Sequence, residues 1–212
     1  MRPRWSWLLA VSLLGASCGN PTGPSVEPPQ ILPITPSTAI PPYNRDAWHY
    51  GIDADNDCQD TRAEVLIRDS QVAVTFRPRD DGRPCVVDAG QWVDPYSGQT
   101  FTRASDLEID HFVPLANAHR SGGWAWASQQ KEDYANDLGY LRHLLAVSAA
   151  LNRQKSDKGP EEWMPPNVRH RCTYGQIWLE VKVRWHLTAT PAEASALEAL
   201  RASCGAQSTA IS

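Results

Sequence analysis

Four cysteines, Cys58, Cys85, Cys172 and Cys204, constrain this chain more than any other feature of its sequence. What they do depends on the compartment. The chain opens with a short basic run, Met1-Arg2-Pro3-Arg4, and then a mostly apolar stretch from Trp5 to Leu14 that is too short to cross a bilayer as a mature helix. That reads as an export signal, and an even number of cysteines in an exported chain reads as a disulfide framework. Three pairings are open to four cysteines. Cys58–Cys85 with Cys172–Cys204 is the expected one, because each bond closes a moderate local loop. No Cys-x-x-Cys spacing is present, which argues against a structural zinc site.

After the apolar stretch, Gly15-Ala16-Ser17-Cys18 resembles a bacterial lipoprotein signal, in which Cys18 becomes the lipidated first residue. Leu14 lies one place further from Cys18 than that pattern has it, so cleavage by an ordinary signal peptidase is the alternative. A lipid on Cys18 would anchor the protein at the cell surface; without it the protein is secreted. This anchor is the only membrane contact expected, and no protein partner is. Gly19 to Pro42 is rich in proline, with Ser and Thr between and few bulky side chains, a composition that buries little and favours extended conformations. The expected organisation is a signal at 1–17, a tether at 18–42, a single domain at 43–204 and a tail at 205–212. A domain of that length buries a sizeable core.

Within the domain the reading is mixed. Asp60 can cap a helix running to Asp69, and the alternating Gln71–Phe76 run reads as a strand. Asp80 to Pro84 is a turn, Cys85 to Trp92 a returning strand, and Asp94-Pro95-Tyr96-Ser97-Gly98 a second turn. Leu107 to Leu115 reads as a strand ending by Pro114, and Trp124 to Tyr134 as a helix. His143 to Val147 is a short apolar run leading into a helix from Ser148 to about Lys155. Thr173 to Trp185 has apolar residues on one helical face, and Thr190-Pro191-Ala192-Glu193 carries the capping-box signature of a last helix. The fold class expected is α+β, one domain with a small ββα core and flanking helices.

The chemistry is carried by two segments, Leu107-Glu108-Ile109-Asp110-His111-Phe112-Val113-Pro114 and His143 to Asp157, the latter ending in Asn152-Arg153-Gln154-Lys155-Ser156-Asp157. Asp110 offers a carboxylate and Asn152 a carbonyl oxygen, a donor pair that suits a hard cation such as Mg²⁺. His111, with an ordinary pKa of about 6.5, suits proton abstraction near neutral pH. Neighbours on a strand point to opposite faces, so Asp110 and His111 can share a site only where the strand ends. The pattern Asp-His-x-x-Pro, then a short apolar strand, then a helix with Asn-Arg-x-Lys-Ser/Gly-Asp, resembles the HNH (His-Me finger, ββα-metal) endonucleases. It is especially similar to exported bacterial members of that class, and its core to the HNH core of RNA-guided CRISPR nucleases.

The resemblance implies metal-dependent hydrolysis of phosphodiester bonds in a nucleic acid, with Mg²⁺ or Mn²⁺ as cofactor. By it His111 is the general base and Asp110 with Asn152 holds the metal. His143 stands at the middle position and braces the loop or the base, and Arg153 and Lys155 contact phosphate. DNA is the expected substrate, RNA the second candidate, and low sequence specificity is expected. Read without the resemblance, Asp110-His111 is a buried structural pair, His143 a core histidine and Asn152 a helix cap. Glu108 alternates with Asp110 and either adds a carboxylate to the site or is an exposed strand residue.

Charge weighs on the other side. The formal net charge is -4, whereas nucleic-acid binders are often basic. From Tyr43 to Asp110 there are 7 Arg and Lys against 14 Asp and Glu, and from His111 to His186 there are 10 against 7, so the half with the Asn152 helix is the basic one. Asp53, Asp55 and Asp57 alternate as in a calcium loop, but Cys58 stands where such a loop needs glycine; a Ca²⁺ site and a solvated turn are both open. The seven tryptophans after the signal are expected in the core, one or two of them free to stack on bases. The rival function is an exported calcium- or partner-binding protein with a degenerate nuclease core.

Overall fold

The computed structural model describes residues 32–35, 39–78 and 80–209. The signal segment and Cys18 lie outside them. Helix α1 (Thr61–Asp69) starts where Asp60 accepts a hydrogen bond from Ala63 N, a side-chain cap for an otherwise unpaired amide. Strands β1 (Thr75–Phe76), β2 (Val87–Val93) and β3 (Thr100–Arg103) form an antiparallel sheet in that order. Of the run expected as the first strand, only its last two residues pair as a strand, while Gln71 N separately donates to Gln91 O of β2.

Strand β4 (Leu107–His111) pairs antiparallel with β5 (Leu144–Ser148), Leu107 opposite Ser148 and His111 opposite Leu144. Between them lie α2 (Leu115–Arg120), which sequence patterning did not reveal, and α3 (Ser128–Ala135). The helix expected from Trp124 is a 3-10 turn at Gly123–Ala125 followed by α3, with Trp126 extended between them. Directly after β5 comes α4 (Ala149–Lys155), then α5 (Arg171–Arg184) and α6 (Pro191–Thr209). The mixed single domain and the embedded β4-β5-α4 unit are as expected. Among the described residues no helix is long and apolar enough to cross a membrane.

Two apolar clusters flank the β4-β5 ribbon. One joins Val65 and Leu66 of α1 to Val87, Trp92, Leu107, Leu144 and Ala146; the other joins Trp48, Tyr96, Phe112, Val113 and Tyr134 to Tyr174, Ile177 and Trp178 of α5. A fully buried Leu or Phe contributes about 1.5–3 kcal/mol by leaving water. Arginines tie the first cluster from its rim: Arg62 donates to the carbonyls of Ala104 and Leu107, and Arg68 to that of Leu144. In the second, Glu193 closes the capping box with Thr190 and also accepts from Trp178 Nε1, while the fully buried Lys182 pairs with it.

Both disulfides are the local ones, Cys58–Cys85 and Cys172–Cys204. The domain starts earlier than composition suggests. Leu32 is buried, and the stretch after it bridges Ala189: Thr35 N donates to Ala189 O and Ala189 N to Pro33 O. Proline-rich chain can do this, because a single edge bridge needs only the amides on one side.

Candidate active site

Strand β4 ends at His111, and this ending lets neighbouring residues serve one cleft. Leu107 and Ile109 turn to the α1 cluster, while Glu108 and Asp110 face α4. The cleft, of about 480 Å³, is lined by Glu108, Asp110, His111, Asn152, Arg153, Ser156 and Asp157 with Tyr43 and Arg45. It adjoins a second lobe of about 400 Å³ that shares Arg45, Glu108, His111 and Asn152. Of the residues expected at the site, the fold brings Asp110, His111, Asn152 and Arg153 to this cleft.

His111 is half-buried, and its Nε2 lies 2.9 Å from Ala135 O. A carbonyl can only accept, so Nε2 carries the hydrogen and Nδ1 keeps its lone pair. His143 is fully buried and does the same one residue earlier, with Nε2 2.7 Å from Tyr134 O. The last carbonyls of α3 therefore hold both rings, whose centroids are 6.3 Å apart. His143 lines neither lobe; it fixes the end of α3 from inside. Loss of hydration pushes His111 down to about 4, with Arg45 and Lys155 adding to the effect. Burial, and then His111 itself, pushes His143 down to about 3.

These two imidazoles make the fold sensitive to acid. Unfolded, each titrates near 6.5, so below that pH the unfolded chain binds protons that the folded chain refuses. Their contribution is whole above about pH 6.5 and drains as pH falls toward 4, at about 1.4 kcal/mol per unit of depressed pKa. The urea midpoint of the oxidised protein is expected to fall steeply between pH 6.5 and 4.5, ahead of most carboxylate titration. A midpoint that stays level over that range would contradict this account.

Asp110 is turned inward. Its Oδ1 accepts from Lys155 Nζ at 2.8 Å and its Oδ2 from Tyr96 OH at 2.5 Å. Burial pushes the Asp110 carboxyl up and the Lys155 ammonium down, each restrained by the other's charge. Lys155 also donates to His111 O at 3.1 Å. Its expected phosphate contact is corrected: the side chain is fully buried and does not line the cleft. The reason is spacing, since Lys155 sits three residues after Asn152 and so on the same inward face of α4. Asn152 Nδ2 donates to Glu108 Oε2 at 2.9 Å, which leaves the Asn152 Oδ1 lone pairs for another partner. Arg153 is exposed beside Glu108, at 3.5 Å. Ser156 closes α4 at φ 53°, ψ -128°, a conformation glycine adopts without cost.

Tyr96, Arg45 and Tyr43 were not found from sequence. Tyr96 left one signal: an aromatic in the middle of a turn, whose hydroxyl needs a partner once buried. Arg45 and Tyr43 left none, because they sit in irregular chain far from either motif. Asp53, Asp55 and Asp57 do converge, with carboxylate oxygens within 4.8 Å of one another on the surface. Their oxygens also accept the amides of Asp57, Cys58 and Gln59, as a solvated turn would.

The β4-β5-α4 unit thus carries His111 at the strand end and Asn152 on the helix that follows. The family model of the GmrSD restriction endonucleases, C-terminal domain, matches residues 60–200, and the chain belongs to that family. A protein of Arthroderma benhamiae named "Uncharacterized secreted protein" is 38% identical over 205 residues, covering 93% of this chain and 96% of that one. No solved structure matches the chain.

Proposed function

We propose that this protein is an exported, metal-dependent endonuclease that hydrolyses phosphodiester bonds in DNA, with RNA as the second substrate, and with low sequence specificity. The observation that carries the reading is His111: its Nε2 is committed to Ala135 O, so a basic Nδ1 is left at a cleft that also holds the Asn152 amide and the β4 carboxylates. Export fits the two disulfides and the name of the relative. Retention at the surface would fall to a lipid on Cys18.

The donors fit a hard cation. Asn152 Oδ1 has no hydrogen to donate, a β4 carboxylate lies beside it, and oxygen-only sets of this kind suit Mg²⁺ or Mn²⁺. Such an ion, when bound, would neutralise charge on the departing oxygen. The chain's own groups do the rest. His111 Nδ1 takes a proton from water as its oxygen attacks phosphorus. The bond to the leaving sugar oxygen breaks, and that oxygen is protonated from solvent. Arg153 and Arg45 line the cleft and, on this reading, hold phosphate oxygens at its mouth. His143 keeps the end of α3, and with it the Ala135 carbonyl, in register with the base.

Nicking of supercoiled plasmid by the oxidised protein, with Mg²⁺, with Mn²⁺ and with EDTA, tests the reading. Cleavage with either metal that EDTA abolishes is expected. A folded protein that cleaves neither plasmid, single-stranded DNA nor RNA would replace this reading by that of an exported binding protein built around the Asp53-Asp55-Asp57 turn. Defined duplexes cut at one sequence only would overturn low specificity.

A further inference from the structure

We propose that the Tyr50 ring stacks on an unpaired nucleobase beside the phosphate to be cut, which makes single strands the preferred substrate; this rests on the nuclease reading above. The place of Tyr50 in the cleft carries it. Tyr50 lines the second lobe, of about 400 Å³, while Arg45 and His111 line both lobes. A space of that size takes a group as large as a nucleoside. The Arg45 guanidinium lies over the Tyr50 ring, 4.4 Å from its centroid. That covers one face, yet 48% of the residue stays exposed. A nucleotide held at Arg45 by its phosphate therefore has an aromatic surface next to it. Among the described residues no tryptophan lines either lobe, so the stacking surface expected of tryptophan falls to a tyrosine.

The chain around Tyr50 is fastened so that the ring stands ready. Trp48 is fully buried at the end of a 3-10 turn, Arg45–Trp48. His49 and Gly51, on either side of Tyr50, have left-handed backbone at φ 30° and 75°. Asn136 holds this turn from both sides. Its Oδ1 accepts from Gly51 N at 2.8 Å and from Ile52 N at 3.3 Å, and its Nδ2 donates to His49 O at 2.9 Å. Asn136 directly follows Ala135, whose carbonyl holds His111. Adjacent residues thus place the stacking ring and the catalytic imidazole, and little ordering is left to pay for when a nucleobase arrives. The lobe also carries the carboxylates of Asp60 and Glu108, which turn phosphates away toward Arg45 but not an uncharged nucleobase. In a duplex the faces of the nucleobases are already stacked on one another; in a single strand they are free. Stacking reads no hydrogen-bond pattern, which agrees with low sequence specificity.

The test is binding of fluorescein-labelled oligonucleotides to the oxidised protein, read by anisotropy at low salt with EDTA present so that nothing is cut. The probes are a single strand of thymidines, the same strand made wholly of abasic sites, and a duplex of equal length. The abasic strand keeps the phosphates and removes only what can stack. The unaltered protein is expected to bind the thymidine strand at least about fivefold more tightly than the abasic one, the low end of what stacking one nucleobase contributes. Tyr50→Ala is expected to lose that difference and bind both strands alike, while Tyr50→Trp keeps it. Duplex binding is expected to change less than about twofold in Tyr50→Ala. Equal binding of the two strands by the unaltered protein overturns the proposal without recourse to any variant. A folded Tyr50→Ala protein that still prefers thymidine overturns it too, as does an equal loss on duplex, which would make Tyr50 a backbone contact. Each of these leaves the nuclease reading intact so long as nicking stays EDTA-sensitive. A protein that neither binds the strands nor nicks plasmid removes both.

Discussion

Plasmid nicking by the His111→Ala protein is expected to fall by about 10²–10⁴-fold, the range a positioned general base supplies. The fold should survive. His111 is half-buried and makes one side-chain hydrogen bond, to Ala135 O, a carbonyl that water can satisfy. The urea midpoint therefore separates lost chemistry from lost structure. The pH profile adds a second signature. With its pKa pushed down to about 4, the ring is already neutral and basic well below the usual histidine range. Nicking by the unaltered protein is thus expected to hold its rate down to about pH 5, not to halve near 6.5. Equal nicking by His111→Ala would assign the activity to another centre or to a contaminant.

Reduction is expected to have the largest effect on stability. Cys58–Cys85 and Cys172–Cys204 close loops of sequence separation 27 and 32. On a chain-entropy account each is worth roughly 3–4 kcal/mol, and the two together approach the whole stability of an ordinary domain, about 5–15 kcal/mol. The first bond ties the turn before α1 to the start of β2. The second ties the start of α5 to the later part of α6, across which Lys182 and Glu193 already meet. With dithiothreitol the tryptophan fluorescence of the buried Trp92 and Trp178 should shift to that of an exposed indole at 37 °C, while the oxidised protein stays folded. Paired Cys→Ser replacements should each give about half of the loss. An unchanged urea midpoint after complete reduction would reject this account.

What could be read from sequence was whatever local chemistry decides. The Asp60 cap, the Thr190–Glu193 box and the cysteine pairing depend on residues close along the chain, and they stand as expected. The β4-β5-α4 unit was legible because its motif is compact. Tertiary burial was not legible. Lys155 looks like a phosphate contact until α4 is laid over β4, and then its position over Asp110 follows from helix spacing. Tyr96 reaches the same carboxylate from a turn fourteen residues earlier, a closeness that no periodicity encodes. α2 is only six residues long and too short for a pattern to rise above background. The Leu32–Thr35 segment carries the composition of a spacer, yet one bridge and one buried leucine dock it.

The basic character of the second half is largely consumed within the fold. Arg120 is held by Asp157, Arg142 by Glu180, Arg184 by Asp137, and Lys155 and Lys182 lie buried against carboxylates. A polyanion arriving at the cleft meets chiefly Arg45 and Arg153. With so few counterions to displace, a nucleic acid gains little from lingering and little from sliding along the surface. If the proposed function holds, such an enzyme would work by brief collisions, and its rate would fall little with added salt.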